Sequence, residues 1–150
     1  MKLIAKIKVK EIWFHVELKP YDFKSPFAGK DYVCVIFNND PNISIEEQYY
    51  ISEKIVKSGC KNAMCAGYNC STWDDSIDEE YLATDVNFDP PDNTFIMTTW
   101  HENESIADII FHMLNCTDFD NHKFEKYLIY LIGKQDFLKR KIQKEIEKIC

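Results

Sequence analysis

Two short stretches of the sequence, "CAGYNCSTWDD" at Cys65–Asp75 and "TTWHENES" at Thr98–Ser105, place reactive side chains close together in the chain. A cysteine becomes a nucleophile when a neighbouring group, usually a histidine held by a third residue, favours its thiolate. Cys70 and His101 supply the first two groups, and Asp74, Asp75 or Glu102 could orient the imidazole. One hypothesis is therefore an acyl-transfer or hydrolytic site.

Carboxylate chemistry is the neighbouring possibility. Glu102 or Glu104 beside tryptophans could act as a general acid or base, and a nucleotide-type ligand could stack on Trp73 or Trp100. The chain has neither a G-x-G-x-x-G segment nor a phosphate-loop lysine. An ordinary dinucleotide cofactor is therefore disfavoured, and the sequence identifies no other cofactor.

The same residues would also suit a protein that binds a partner and catalyses no reaction. Exposed tryptophans supply binding energy at protein interfaces, and an acidic field speeds the encounter with a basic partner. Immunity proteins and antitoxins have this profile. Recognition needs Trp73 and Trp100 on the surface, whereas catalysis needs them in the walls of a cleft.

The remaining cysteines and histidines indicate no second site. Cys60, Cys65 and Cys70 have C-x4-C-x4-C spacing, and an extended strand through Cys65 would separate the outer two by about 30 Å, so no metal site is expected. Cys34, Cys65 and Cys116 are predicted to be core residues, since free cysteine is usually buried. The other histidines show no partners in the sequence: His15, His112 and His122.

The elements that position these residues follow from hydrophobic patterning. Residues 6–18 alternate and predict an antiparallel strand or hairpin at a sheet edge, while the unbroken apolar run Tyr32–Phe37 predicts a central buried strand. Ser44 with Glu47, and Ser105 with Asp108, have the spacing of helix-starting caps. The other predicted elements are strands at 62–68 and 94–100, a short helix near 76–83, and C-terminal helices at 123–132 and 136–149.

Alternating strands and helices predict a small α/β domain: an open, mostly parallel sheet with helices on both faces, Rossmann-like in its three layers, with an antiparallel N-terminal addition and a helical C-terminus. Ligands of such sheets bind at the carboxyl ends of the strands. These ends carry Asn38, Asn39 and Asp40, then Cys70 to Asp75, then Trp100 to Glu104. The predicted ligand-binding residues are Asn38, Asn39, Asp40, Trp73, Asp74, Asp75, Trp100 and Glu104, and the predicted catalytic residues are Cys70, His101 and Glu102.

Composition limits the partners. The 150 residues fit one domain spanning 1–150, and 25 acidic against 18 basic residues give a net charge of −7, which disfavours nucleic acid. The N-terminus has a lysine every two to four residues and no sustained apolar run, so neither a signal nor a membrane span is predicted. We expect a cytoplasmic protein that binds a small molecule or a protein partner, with its oligomeric state open.

The segments "GCKNAMCAGYNCSTWDDSID" and "FIMTTWHENE" resemble the paired motifs of a family of small bacterial proteins classed as a domain of unknown function. The resemblance covers about the central half of the chain, from Cys34 to Met113. It implies a bacterial source and a single α/β domain. It brings no activity, so no catalytic residue is carried over from the family.

Overall fold

The computed structural model describes residues 1–134 and 136–150. Within them, six strands form one mixed sheet in the order β1-β2-β6-β3-β4-β5. Only the β1–β2 pair is antiparallel; the other neighbouring pairs are parallel. The predicted α/β class, with an antiparallel N-terminal hairpin and a C-terminal helix, is confirmed.

The elements follow the chain in an alternating order that places helices on both faces of the sheet. In sequence they are β1 Lys2–Ile7, β2 Lys10–Glu17, β3 Tyr32–Asn38, α1 Ile45–Lys57, β4 Cys60–Gly67, α2 Cys70–Leu82, a 3-10 turn Asp92–Thr94, β5 Met97–His101, α3 Ile106–Asn115, β6 Lys126–Ile132 and α4 Asp136–Glu147. Side chains of α1 and α2 join one core cluster, and those of α3 and α4 join the other. The chain therefore forms three layers.

Two helix starts agree with their sequence signals. Ser44 and Glu47 form the reciprocal capping box at α1, and the Ser105 hydroxyl accepts a hydrogen bond from the Asp108 amide at α3. The apolar strand β3 is buried along its whole length and lies between β6 and β4, as its unbroken apolar run predicts.

The predicted helix at 123–132 is wrong. Residues Lys126–Ile132 form β6, which is buried from its second residue onward and pairs with both β2 and β3. An unbroken apolar run can be a buried strand or a buried helix, and here pairing on both sides stabilises the strand. The chain thus returns from the β5 edge, by way of α3, to the middle of the sheet.

The short helix predicted near 76–83 begins earlier than expected, because α2 starts at Cys70 rather than near Ser76. Its N-cap residue, Asn69, has a left-handed backbone with φ of 56° and makes no side-chain capping bond. The reactive residues from Cys70 to Asp75 therefore lie on a rigid helix whose N-terminus points to the carboxyl edge of the sheet.

The prediction that Cys116 is a core residue is wrong. It is exposed at the end of α3, whereas Cys34, Cys60, Cys65 and Cys70 are buried as free thiols. The apolar face of α3 points inward through Ile109, Ile110 and Met113, and Cys116 follows that helix as its C-cap.

Candidate functional site

A cleft of about 620 Å³ opens at the carboxyl edge of the sheet, over the ends of β3, β4 and β5. We call it the carboxyl-edge cleft. Its polar wall includes Asn39, Cys70, His101, Glu102 and Glu104. Five of the eleven predicted site residues, from three distant segments, thus line one cleft, and the other six do not.

Asn38 fixes the geometry of the cleft floor without entering it. Its buried side chain donates to the Tyr68 carbonyl at 3.0 Å and accepts from the Asp40 amide at 3.0 Å. A Cβ atom on Gly67 would lie 2.2 Å from the Asn38 carbonyl oxygen, and Gly67 has a φ of +84°. Only glycine therefore allows the β3 and β4 ends to approach this closely.

Asn39 brings an unsatisfied donor to the cleft. It is a lining residue, and its buried Nδ2 atom has no hydrogen-bond partner among the described residues. Buried amide groups are nearly always hydrogen-bonded. The backbone amides of Cys70 and Ser71 at the start of α2 make no hydrogen bond with backbone oxygens of the described residues, but they interact with the Cys70 sulfur. The Asn39 side-chain amide could donate to an oxygen atom of a ligand.

His101 is the best-held side chain of the cleft. Its Nδ1 atom lies 2.7 Å from Glu104 Oε2, and its Nε2 atom lies 2.8 Å from the Thr99 hydroxyl. The ring is 5% exposed and packs edge-on against His112, with 4.9 Å between ring centroids. Burial and the neighbouring His101 lower the pKa of His112. Glu104, rather than the expected Asp74, Asp75 or Glu102, therefore orients the imidazole.

Cys70 lacks the environment of an activated thiol. Both nitrogens of the His101 ring have other partners, and no hydrogen bond between that ring and Cys70 occurs among the described residues. Burial and the Glu102 carboxylate raise the pKa of the Cys70 thiol, although backbone amides at the start of α2 act in the opposite direction. The thiolate needed for nucleophilic attack is thus disfavoured.

The two predicted tryptophans have different surroundings. Trp73 is fully buried in the core cluster under α1 and α2 and does not line the cleft, whereas Trp100 is 55% exposed on β5. The spacing of Trp73 and Ile77, one helical turn apart on the buried face of α2, is the sequence signal for this placement. Trp100 is the tryptophan that a partner can reach.

Two of the predicted ligand-binding carboxylates, Asp74 and Asp75, lie on α2. Thr98 and Trp100 are two residues apart and therefore share the face of β5 that is turned toward α2, where the Thr98 hydroxyl donates to Asp78 at 2.8 Å. Asp74 is one helical turn nearer the carboxyl edge, is 4% exposed and interacts with the Asp78 carboxyl group. Partial desolvation and the adjacent Asp74 raise the pKa of Asp78, although its residue is exposed and the Thr98 hydrogen bond acts in the opposite direction. Asp75 is exposed nearby.

Asp40 lies apart from these groups. Its carboxylate accepts a hydrogen bond from the Tyr21 hydroxyl at 2.6 Å and lies 3.9 Å from the Lys19 ammonium. Tyr21, the Asn42 amide and Lys19 together hold the pKa of Asp40 below its ordinary value. Asp40 therefore anchors the loop after β2 and does not line the carboxyl-edge cleft.

The net charge of −7 is distributed unevenly along the chain. Residues 62–122, which we call the acidic half, hold 13 aspartates and glutamates and no lysine or arginine. This range contains nearly all of β4 and the whole of α2, β5 and α3. No salt bridge joins any of these 13 carboxylates to a lysine or arginine among the described residues; only His101 pairs with one of them. The acidic half therefore has a large excess of negative charge, although Lys57 lies near Glu80.

No group of three or more candidate metal ligands occurs in the described part of the chain. Within the same residues, no helix combines the length and the apolar character needed to cross a bilayer.

The family described as "Domain of unknown function (DUF7684)" matches residues 13–149. The chain belongs to this family. The match covers all of the carboxyl-edge cleft and the acidic half. No curated protein and no solved structure matches the chain.

Proposed function

We propose that the protein is a binding domain that recognises a positively charged protein partner at the carboxyl edge of its acidic half. The observation that carries this proposal is the absence of any lysine or arginine among the 61 residues from 62 to 122, beside 13 carboxylates. Carboxylates packed without cations repel one another, so such a surface costs stability in the free protein. A basic partner would remove that cost on binding.

Exposed aromatic groups near these carboxylates provide the apolar part of the interface. Trp100 is 55% exposed and Tyr68 is 53% exposed, and both come at the carboxyl ends of their strands. Tryptophan and tyrosine are enriched among residues that contribute most to protein–protein affinity. An acidic surface with aromatic anchors favours a basic protein over a small neutral ligand.

The biological setting is part of the same proposal. Immunity proteins and antitoxins neutralise basic toxins by this kind of complementarity. The resemblance of the motifs around Trp73 and Trp100 to small bacterial proteins supports a bacterial source. We therefore place the domain in the cytoplasm of a bacterium, in a defence or toxin-immunity role.

Binding of a fluorescently labelled nine-residue oligolysine, measured by anisotropy at low salt, tests the proposal. The triple variant Asp75→Asn, Glu102→Gln, Glu104→Gln removes three charges at the carboxyl edge. A matched triple variant, Glu53→Gln, Glu125→Gln, Glu147→Gln, removes three charges elsewhere. Since an exposed charge contributes a few tenths of a kcal/mol or more, we expect about fivefold to tenfold weaker binding for the first variant. Equal weakening by both variants would contradict recognition at the carboxyl edge.

A second candidate function is an enzyme that uses the carboxyl-edge cleft. The His101–Glu104 contact of 2.7 Å favours it, because a carboxylate that fixes an imidazole is a common arrangement for a general base. Such an enzyme would be a hydrolase or transferase, with Glu102 in the cleft wall and a nucleotide-type ligand as one class of substrate. Because the pKa of the Cys70 thiol is raised, an enzyme with a cysteine nucleophile is favoured less than one that uses the His101–Glu104 pair.

A further inference from the structure

The two edges of the sheet differ in their protection against strand pairing. β1, at one edge, carries Lys2 and Lys6 and has a bulge between Leu3 and Ala5. Charged residues, proline and bulges are the devices by which proteins prevent edge strands from pairing with other chains. β1 thus has two such devices.

β5, at the other edge, has none of them. Its sequence, Met-Thr-Thr-Trp-His, holds no lysine, no proline and no bulge, and it is rich in residues that favour strands. It pairs with β4 on one side, and its backbone makes no other hydrogen bond with the backbone of the described residues. β5 therefore presents free backbone donors and acceptors to the outside.

The surroundings of β5 indicate what can pair with it. Trp100 lies on the α2 side of the strand and is exposed, with Asp78 bonded to Thr98 two residues earlier. Asp74 lies four residues before Asp78 on α2, a rise of about 6 Å, which matches the rise of about 6.6 Å from Thr98 to Trp100. Asp74 and Trp100 therefore lie at about the same level of the edge.

Asp74 has no cationic partner. It is 4% exposed, its carboxyl group interacts with that of Asp78, and no salt bridge joins it to a lysine or arginine among the described residues. Buried carboxylates are ordinarily paired. A cationic side chain that enters beside Trp100 would meet this carboxylate, the Asp78 carboxylate and the face of an indole ring.

We propose that β5 is a docking strand that pairs with an extended, basic segment of a protein partner, with Trp100 as its anchor. The inference rests on the proposed recognition of a positively charged protein and adds the mode of binding. Strand addition supplies main-chain hydrogen bonds, and side chains at alternate positions supply specificity. Lysine or arginine at every second position of the partner segment would face Asp74 and Asp78.

An open edge strand could also pair with the same strand of a second copy of this chain. Pairing β5 with its own copy would bring two acidic halves together, each with 13 carboxylates and without lysine or arginine. Like charges placed across an interface oppose association. The charge of the surface therefore selects a basic partner over self-association.

The test uses the whole protein and a synthetic peptide of four Lys-Thr repeats, compared with the same peptide methylated on every backbone nitrogen. Both peptides carry the same charge, but only the first can donate main-chain hydrogen bonds. We expect the unmethylated peptide to bind about tenfold more tightly and to slow amide hydrogen exchange at residues 97–101. Equal affinity of the two peptides would overturn strand pairing while leaving charge recognition intact.

Two variants and one further measurement complete the test. Trp100→Lys adds a protective charge to β5, while Phe111→Lys adds the same charge at an aromatic residue that is 62% exposed beside Lys8 and Lys10. We expect about tenfold weaker peptide binding for Trp100→Lys and less than a twofold change for Phe111→Lys. Equal effects would contradict the docking strand, and failure of both peptides to bind would overturn the proposed function as well. A dimer in sedimentation that Trp100→Lys abolishes would overturn the choice of a basic partner.

Discussion

The Thr98 hydroxyl donates a hydrogen bond to the Asp78 carboxylate at 2.8 Å and thereby joins the edge strand β5 to α2. Trp100 follows two residues later on the same face of β5, and Asp74 lies one helical turn before Asp78 on α2. Asp74 and Asp78 interact with each other, and no lysine or arginine among the described residues forms a salt bridge with either carboxylate.

Repulsion between the Asp74 and Asp78 carboxylates lowers the stability of the folded protein, so removal of one of the two charges should stabilise it. Partial desolvation and Asp74 raise the pKa of Asp78 in the folded protein above its unfolded value, so its ionisation opposes folding, by an amount that its exposure to solvent keeps small. This contribution to stability is present below the unfolded pKa and is lost as pH rises through the folded pKa. We expect Asp78→Asn, which keeps an acceptor for Thr98, to be more stable than wild type at pH 7. Urea unfolding at several pH values should show the advantage disappear below about pH 4.

The matched control is Asp89→Asn, which removes a charge from an exposed residue of the same acidic half in the loop after α2. A stability gain at pH 7 for Asp89→Asn as large as that for Asp78→Asn would show that total charge, and not the Asp74–Asp78 pair, is responsible.

The two predicted tryptophans should differ in their effect on stability. Trp73→Ala leaves a cavity in the core under α2, and we expect a loss of about 3 to 5 kcal/mol in the free energy of unfolding. Trp100→Ala should cost less than about 1 kcal/mol, because its side chain is more than half exposed. Chemical denaturation of both variants measures the difference. Similar losses would mean that Trp100 is a packing residue and not a free anchor.

The close approach of the β3 and β4 ends depends on Gly67. Gly67→Ala puts a Cβ atom 2.2 Å from the Asn38 carbonyl oxygen at a φ of +84°, and we expect a loss of about 3 kcal/mol or more. Gly29→Ala has a similar φ of +79° but meets no atom within 4 Å, so about 1 to 2 kcal/mol should be lost. If the two variants lose equal stability, the contact with Asn38 contributes nothing.

Thiol reactivity separates binding from cysteine chemistry. Cys116 and Cys150 are exposed, and burial with the Glu102 carboxylate raises the pKa of Cys70. We expect iodoacetamide at neutral pH to modify two cysteines quickly, and the other four only after denaturation, as counted by intact-mass spectrometry. Peptide mapping then identifies the two sites. Fast modification of Cys70 would instead indicate an activated thiolate and favour the enzyme.

The sequence predicts those parts of the fold whose signals are local. Ser44–Glu47 and Ser105–Asp108 mark the starts of α1 and α3, because side-chain caps use residue types that few other positions favour. The segment predicted to be a helix at 123–132 contains β6, because Tyr127–Ile132 has no alternation when both faces of the strand are buried. Its content of tyrosine and isoleucine is the sequence signal that favours a strand.

The site is less predictable because its contacts depend on how the strands end. Sequence order brings Cys70 and His101 to one cleft, but the turn after β5 decides that Glu104 contacts the imidazole. The sequence does not indicate the start of α2, because Asn69 adopts a left-handed backbone and makes no side-chain cap. The total charge does not reveal that lysine and arginine are absent from residues 62 to 122.

The most direct measurement of recognition at the carboxyl edge is backbone amide NMR of the whole protein, titrated with nine-residue oligolysine at low salt. The largest shift changes should fall at residues 68–78 and 98–104, and they should weaken as salt is raised toward 0.3 M, since screening reduces attraction between exposed charges. Changes spread evenly over the surface, or concentrated on α4 and β1, would contradict the proposal that this edge is the recognition site.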